Sequence, residues 1–237
     1  MFASDDMVIS TGYLQVRLCQ MRLAAQVSLM FITFARYEES AAVRMGDMHR
    51  DGDNLIVMFP KGKTYQFSES RMADITGNAT LMINPVQVIR VCMSRLEGVS
   101  GNKSRLLFPN LTLSSKGDLS LDKPASYDSV LNQFKSLVRE AGLSTNPADF
   151  GLHLMRRGGV TAAVNGGADE HFLVKQMRVA SSSTVRRYAT VDSKNLASVL
   201  MLMSYSQLKY TFNSTIACCI RIFLNSTIVD TTINLNR

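Results

Sequence analysis

The stretch Phe150-Gly-Leu-His-Leu-Met-Arg-Arg-Gly-Gly159, read together with Ser181-Ser-Ser-Thr-Val-Arg-Arg-Tyr188, decides the fold. His153 and Arg156 stand three positions apart, a spacing that on a helix puts both side chains on one face, about a turn apart. A group that exchanges protons then shares a surface with a planar fork of donors suited to phosphate oxygens. Tyr188 ends a basic, Ser-rich segment 32 residues after Arg156 and adds a hydroxyl nucleophile.

Working outward, Arg36 is followed three residues later by Glu39 in the segment that runs from Phe34 to Met48, with Val43 and Asp47 beyond. Alone, that pair reads as an i,i+3 ion pair on an exposed helix. Next, Leu55-Ile-Val-Met-Phe59 is an apolar, β-rich run behind the turn Arg50-Asp-Gly-Asp-Asn54. Pro60-Lys-Gly62 breaks it and Lys63-Thr-Tyr-Gln-Phe67 continues extended, which predicts a β-hairpin with Lys61 and Lys63 near its tip.

At these residues the chain resembles the tyrosine recombinase (phage integrase) family. The family pattern is an Arg followed by a Glu, a hairpin Lys, His-x-x-Arg at a helix start, and a Tyr roughly thirty residues on. The wording Gly151-x-His153-x-x-Arg156-Arg157-Gly158-Gly159-x-Thr161-Ala162-Ala163 is most similar to recombinases of eukaryotic mobile elements, of DIRS and Crypton type. Lys63-Thr64-Tyr65-Gln66 matches the family's Lys-Thr-x-Gln, with Lys61 as the alternative general acid. Leu106-Leu-Phe-Pro109 resembles the short segment that precedes the family's active-site helices.

The resemblance implies an α+β, mostly α, catalytic-domain fold with a small antiparallel β-sheet. It implies that Arg36 and Arg156 grip the phosphate, that Glu39 orients Arg36, that His153 handles a proton, and that Lys63 protonates the leaving oxygen. Tyr188 is then the nucleophile. Arg157, Arg186 and Arg187 read as contacts to the DNA backbone or as solvated charge, without sequence readout. No metal or other cofactor is called for. One departure stands out: where the family has a Trp or His about nine residues before the nucleophile, this chain has Val179, which donates no hydrogen bond. Losing one such donor costs on the order of 10²-fold in rate, so Val179→Trp is expected to raise cleavage.

Composition agrees with that partner. The 237 residues suffice for one well-cored domain, and a net charge of +7 favours an anionic ligand, nucleic acid first. Cys19, Cys92, Cys218 and Cys219 form no Cys-x-x-Cys pair, which argues against a zinc site or a disulfide framework and for a reducing compartment. The start, Met1-Phe-Ala-Ser-Asp-Asp6, is not a signal peptide, and Ile216-Ala-Cys-Cys-Ile220 is too short to span a membrane. The partners expected are double-stranded DNA and further copies of the chain, with no membrane, in a nucleus or in a prokaryotic cytoplasm.

The remaining elements follow from periodicity. Apolar positions predict helices over Gly12–Phe34, Val86–Leu96, from Ser126 to about Ala141, Asp169–Met177 and Leu196–Met203. Ala79–Ile83 is a candidate third strand and Leu111–Lys123 a loop. The domain layout expected is an arm over 1–12, a catalytic domain over 13–203 and an extension over 204–237, with Leu196–Met203 docking onto a neighbouring copy. Two other readings stay open: an inactive DNA-binding relative of the same fold, and a type IB topoisomerase using the same residue types.

Overall fold

The computed structural model describes residues 3–60, 71–76, 84–100, 105–113, 119–121, 123–140, 150–179 and 181–189, and side-chain surroundings from Leu18 onward. The long first helix, α1 (Ala3–Ile32), is the axis of the fold. From Met21 to Met30 every position is buried, Leu23, Ala25, Leu29 and Met30 among them, so this part of the helix is enclosed on all sides. The helix starts earlier than its periodicity suggested and stops at Ile32, because Phe34 turns left-handed at φ 54°. That turn lets the chain enter the short helix α2 (Tyr37–Ala41).

Three antiparallel strands follow in the order β1 (Met48–Asp51), β2 (Asn54–Phe59) and β3 (Arg71–Ile75). Along β2, Leu55, Val57 and Phe59 are fully buried and alternate with half-buried residues, the signature of a sheet with one face on the core. Gly52, at φ 57°, makes the β1–β2 turn. The β1–β2 hairpin was not expected, because the polar strand Met-His-Arg-Asp carries little apolar alternation. Strand β2 pairs on its other side with Arg71–Ile75, Val57 facing Ala73. Lys61, Lys63 and the extended run to Phe67 lie outside the described residues, as does Ala79–Ile83.

Helix α3 (Pro85–Ser100) packs along α1 and runs four residues past the predicted end. Asn84 caps it, its Oδ1 accepting from Val86 N at 3.0 Å. The Leu-Phe-Pro segment is pinned beside the exit of α2: Leu107 N donates to Val43 O at 2.8 Å, and Leu107 and Phe108 are fully buried. The predicted loop over 111–123 contains a small ribbon, β4 (Thr112–Leu113) against β5 (Leu119–Ser120). Helix α4 (Tyr127–Glu140) is capped by Ser126 and buries Val130, Phe134, Leu137 and Val138, as its periodicity requires. Residues 190–237, which include the proposed docking helix and the tail, lie outside the described residues. Among the described residues no helix is long and apolar enough to cross a membrane.

Three helices complete the described residues: α5 (His153–Asn165), α6 (Glu170–Met177) and α7 (Ser182–Ala189). The apolar segment Thr161–Val164 is the continuation of α5. Gly159 permits α5 to lie on α1, since a Cβ there would sit 2.1 Å from the Phe31 carbonyl oxygen. A second, smaller core joins Phe34, Val160, Leu173, Met177, Val179 and Val185, holding α5, α6 and α7 to the end of α1.

Candidate active site at the end of helix α1

The last carbonyls of a helix have no partners within it and carry partial negative charge. Here side chains from α5 and α6 supply the donors. Gln176 Nε2 donates to Ile32 O at 3.3 Å, Arg178 Nη1 to Thr33 O at 2.9 Å, and Arg156 Nη1 to Phe34 O. Gln176 also donates to Asp74 O on β3 at 3.1 Å, and Arg156 Nη2 to Met177 O at 3.2 Å. The helix end, the sheet and the α6 terminus are thus locked into one frame.

Glu39 stands at the centre of that frame, 1% exposed. As the third residue of α2 it accepts from Arg36 N at 3.0 Å, the backward reach of a capping box. Its Oε1 takes Arg36 Nη1 at 3.0 Å, and its Oε2 takes Arg178 Nη2 at 3.0 Å with Arg156 Nη1 at 3.8 Å. The Arg36–Glu39 pair is therefore not the solvated pair that the spacing alone suggests. Three guanidiniums around one carboxylate leave a formal charge of +2.

Of the expected phosphate-gripping pair, Arg36 is half-buried with its side chain 21% exposed, while Arg156 is fully covered and bound to backbone carbonyls. His153, at the start of α5, is exposed. Its pKa is lowered, first by desolvation and then by the cations Arg156, Arg157 and Arg36, so the neutral ring that can accept a proton is favoured. Arg157 and Arg187 are exposed. Arg186 is exposed too, but its Nε is 2.9 Å from Glu170 Oε1 on α6. Tyr188 falls in the last turn of α7, and Lys63 lies outside the described residues.

One site feature escaped the sequence reading. Arg178 is fully buried, adopts φ 55° after α6, and stacks over the Phe59 ring at 4.0 Å. A charged residue between Met177 and Val179 was the available signal, but its acid partner is 139 residues away. Val179, singled out from the sequence for the donor it lacks, is 3% exposed and packs within the α5–α6–α7 core.

The phage integrase family model matches residues 13–195. The chain belongs to the phage integrase family. Solved tyrosine recombinases share this fold. The XerH site-specific recombinase bound to palindromic difH substrate in a post-cleavage complex superposes with a TM-score of 0.53 at 17% identity, over 78% of this chain and 46% of that one. XerH in a pre-cleavage complex gives 0.54 at 18%, over 76% and 46%. The XerA recombinase gives 0.54 at 17%, over 86% and 63%. The chain thus spans about half the length of the XerH chains it matches. No curated protein matches it. The helix-rich architecture with a small three-stranded antiparallel sheet is the catalytic-domain fold of tyrosine recombinases.

Proposed function

We propose that this chain cuts and rejoins DNA strands through a 3′-phosphotyrosine, in site-specific recombination or integration of a mobile element. The observation that carries this reading is that Arg36 and Arg156 share the buried Glu39 carboxylate, that His153 opens the same helix as Arg156, and that α7, which bears Tyr188, packs against α5 and α6. A phosphodiester is anionic and resists nucleophiles, and guanidiniums lower that barrier by neutralising its non-bridging oxygens. A phenol ordinarily titrates near 10, so Tyr188 attacks phosphorus as its proton leaves, with His153 as the acceptor or relay. The bond to the 5′ oxygen breaks, and Lys63 (or Lys61) protonates that oxygen. The phosphotyrosine conserves the bond, so a second strand's 5′ hydroxyl reverses the step without ATP.

Arg157, Arg186 and Arg187 hold the duplex by its phosphates and contribute charge without reading sequence. Glu39 acts through the arginines it orients. Copies of the chain assemble on DNA through Leu196–Met203. The DIRS- and Crypton-like wording around His153 points to a eukaryotic element and a nuclear site of action, or the cytoplasm for a prokaryotic host. A second reading, a DNA-binding relative without cleavage, is favoured by Val179 standing in the core where the family has a hydrogen-bond donor.

The test uses a pool of nicked duplexes that shed the short cleaved end, mixed with the chain and its Tyr188→Phe variant. A denaturant-resistant protein–DNA adduct formed only by the wild type supports cleavage. Salt-sensitive binding by both with no adduct supports the non-cleaving relative, and supercoil relaxation without strand transfer supports topoisomerase activity.

A further inference from the structure

Glu39 Oε2 is shared unequally: Arg178 Nη2 holds it at 3.0 Å and Arg156 Nη1 stands off at 3.8 Å. Arg178 is wholly buried and its guanidinium is fixed on four sides. It donates to Glu39, to Thr33 O and to Gln176 O at 2.7 Å, and it lies over Phe59. It also holds a left-handed backbone at φ 55°, a helix-ending position where glycine is the unstrained choice. A surface arginine has no reason to bear that strain. Four residues later α7 begins, the helix that carries Tyr188.

We propose that Arg178 is a positioning residue for the phosphate site: it satisfies the Glu39 carboxylate, so that the charge of the partly exposed Arg36 and of the buried Arg156 behind it acts on an oxyanion at the His153 surface. Without Arg178 the frame drops from a formal +2 to +1, and Glu39 draws the two remaining guanidiniums to itself. The assignment rests on the phosphate-site reading above and adds to it the residue that sets the charge of the site. It also ties the approach of α7 to the same carboxylate, through one side chain.

The charge balance supplies the test. Inorganic sulfate affinity is measured by calorimetry, and adduct formation on the nicked duplexes by denaturing gels, for the wild type, Arg178→Lys, Arg178→Met, and the double variant Arg178→Met with Glu39→Gln. The folded fraction of each is checked by circular dichroism. Arg178→Met is expected to bind sulfate about tenfold more weakly and to form adduct more slowly, as loss of a nearby unit charge requires. Arg178→Lys keeps most of both. The double variant, with two arginines and no carboxylate, is back at +2 and recovers sulfate affinity. A merely structural role predicts the opposite, a double variant at least as impaired as Arg178→Met. If Arg178→Met does not fold, Arg178→Lys and the double variant decide by the same comparison. Wild-type sulfate affinity in a folded Arg178→Met, a folded double variant without recovery, or a wild type that binds no sulfate overturns the assignment. A wild type that binds sulfate but forms no adduct overturns strand cleavage instead, and the sulfate affinities still judge Arg178.

Discussion

Replacing Gly159 by Ala adds one methyl group at the crossing of α5 and α1, and the structure fixes what it meets. The new Cβ would stand 2.1 Å from Phe31 O, 2.8 Å from Phe34 Cδ1 and 3.1 Å from Phe31 C. The first contact is backbone, so no side-chain rotation relieves it and α5 must move off α1 by about 1 Å to restore an ordinary separation. Overpacking of this kind costs about 1–3 kcal/mol, and the backbone contact places Gly159→Ala at the upper end. Ala in a helix interior returns roughly 0.5–1 kcal/mol relative to Gly. The net expectation is a loss of about 2 kcal/mol, a fall in Tm of roughly 4–8 °C for a domain of this size. Gly98→Ala on α3 is the control, because a Cβ there meets nothing within 4 Å, and it should gain about 0.5–1 kcal/mol. Urea midpoints with unchanged slopes measure both. Equal or greater stability of Gly159→Ala than wild type would refute the close-approach argument. The same shift carries His153 and Arg156 with α5, so activity should fall by more than stability accounts for, on the order of 10²-fold for a misplacement near 1 Å.

Other substitutions probe the rest of the frame. Glu39→Ala leaves three guanidiniums clustered without their anion, so a loss of about 3–5 kcal/mol in urea unfolding is expected, and a change below 1 kcal/mol would contradict its central role. His153 has a lowered pKa in the fold, so below its unfolded value near 6.5 the unfolded chain binds more protons. Stability should therefore fall as pH drops from 7.5 to 5.5, and His153→Asn should flatten that dependence; an identical pH profile for the variant would exclude it. Asp169→Ala removes the oxygen that accepts from Phe172 N at 2.7 Å and should cost about 1 kcal/mol through the start of α6. Val179→Trp, expected from the sequence to restore a donor, instead overfills the core around Val160 and Val185 and should lose about 1–3 kcal/mol; a stable variant with faster cleavage would reverse that conclusion.

The parts of the fold legible in the sequence were those governed by local pattern. Helix α4 shows its buried stripe and its Ser cap directly, and His-x-x-Arg at the start of α5 carries its spacing on its face. Strand β3 was missed because the inward alternation of Ala73 and Ile75 is too short to register. Arg178 was missed for a different reason. Its role exists only once α1, α2 and α6 converge, and a lone arginine in sequence reads as surface. Arg22 is a similar case: it is 1% exposed and held by Gln26 and Gln133 rather than by an acid, with its pKa lowered by desolvation. Gly159 was visible as part of a phrase, but the carbonyl it accommodates lies 128 residues earlier.

The central claim, that Tyr188 becomes covalently joined to DNA, is tested most directly by locating the bond. The adduct from the nicked duplexes is digested with protease and nuclease, and the peptide that carries the residual nucleotide is sequenced by mass spectrometry. The account predicts a nucleotide on Tyr188 and on no other tyrosine. A nucleotide on Tyr37, on Tyr127 or on a serine of Ser181–Ser183, or no modified peptide from a chain that binds DNA, would contradict it.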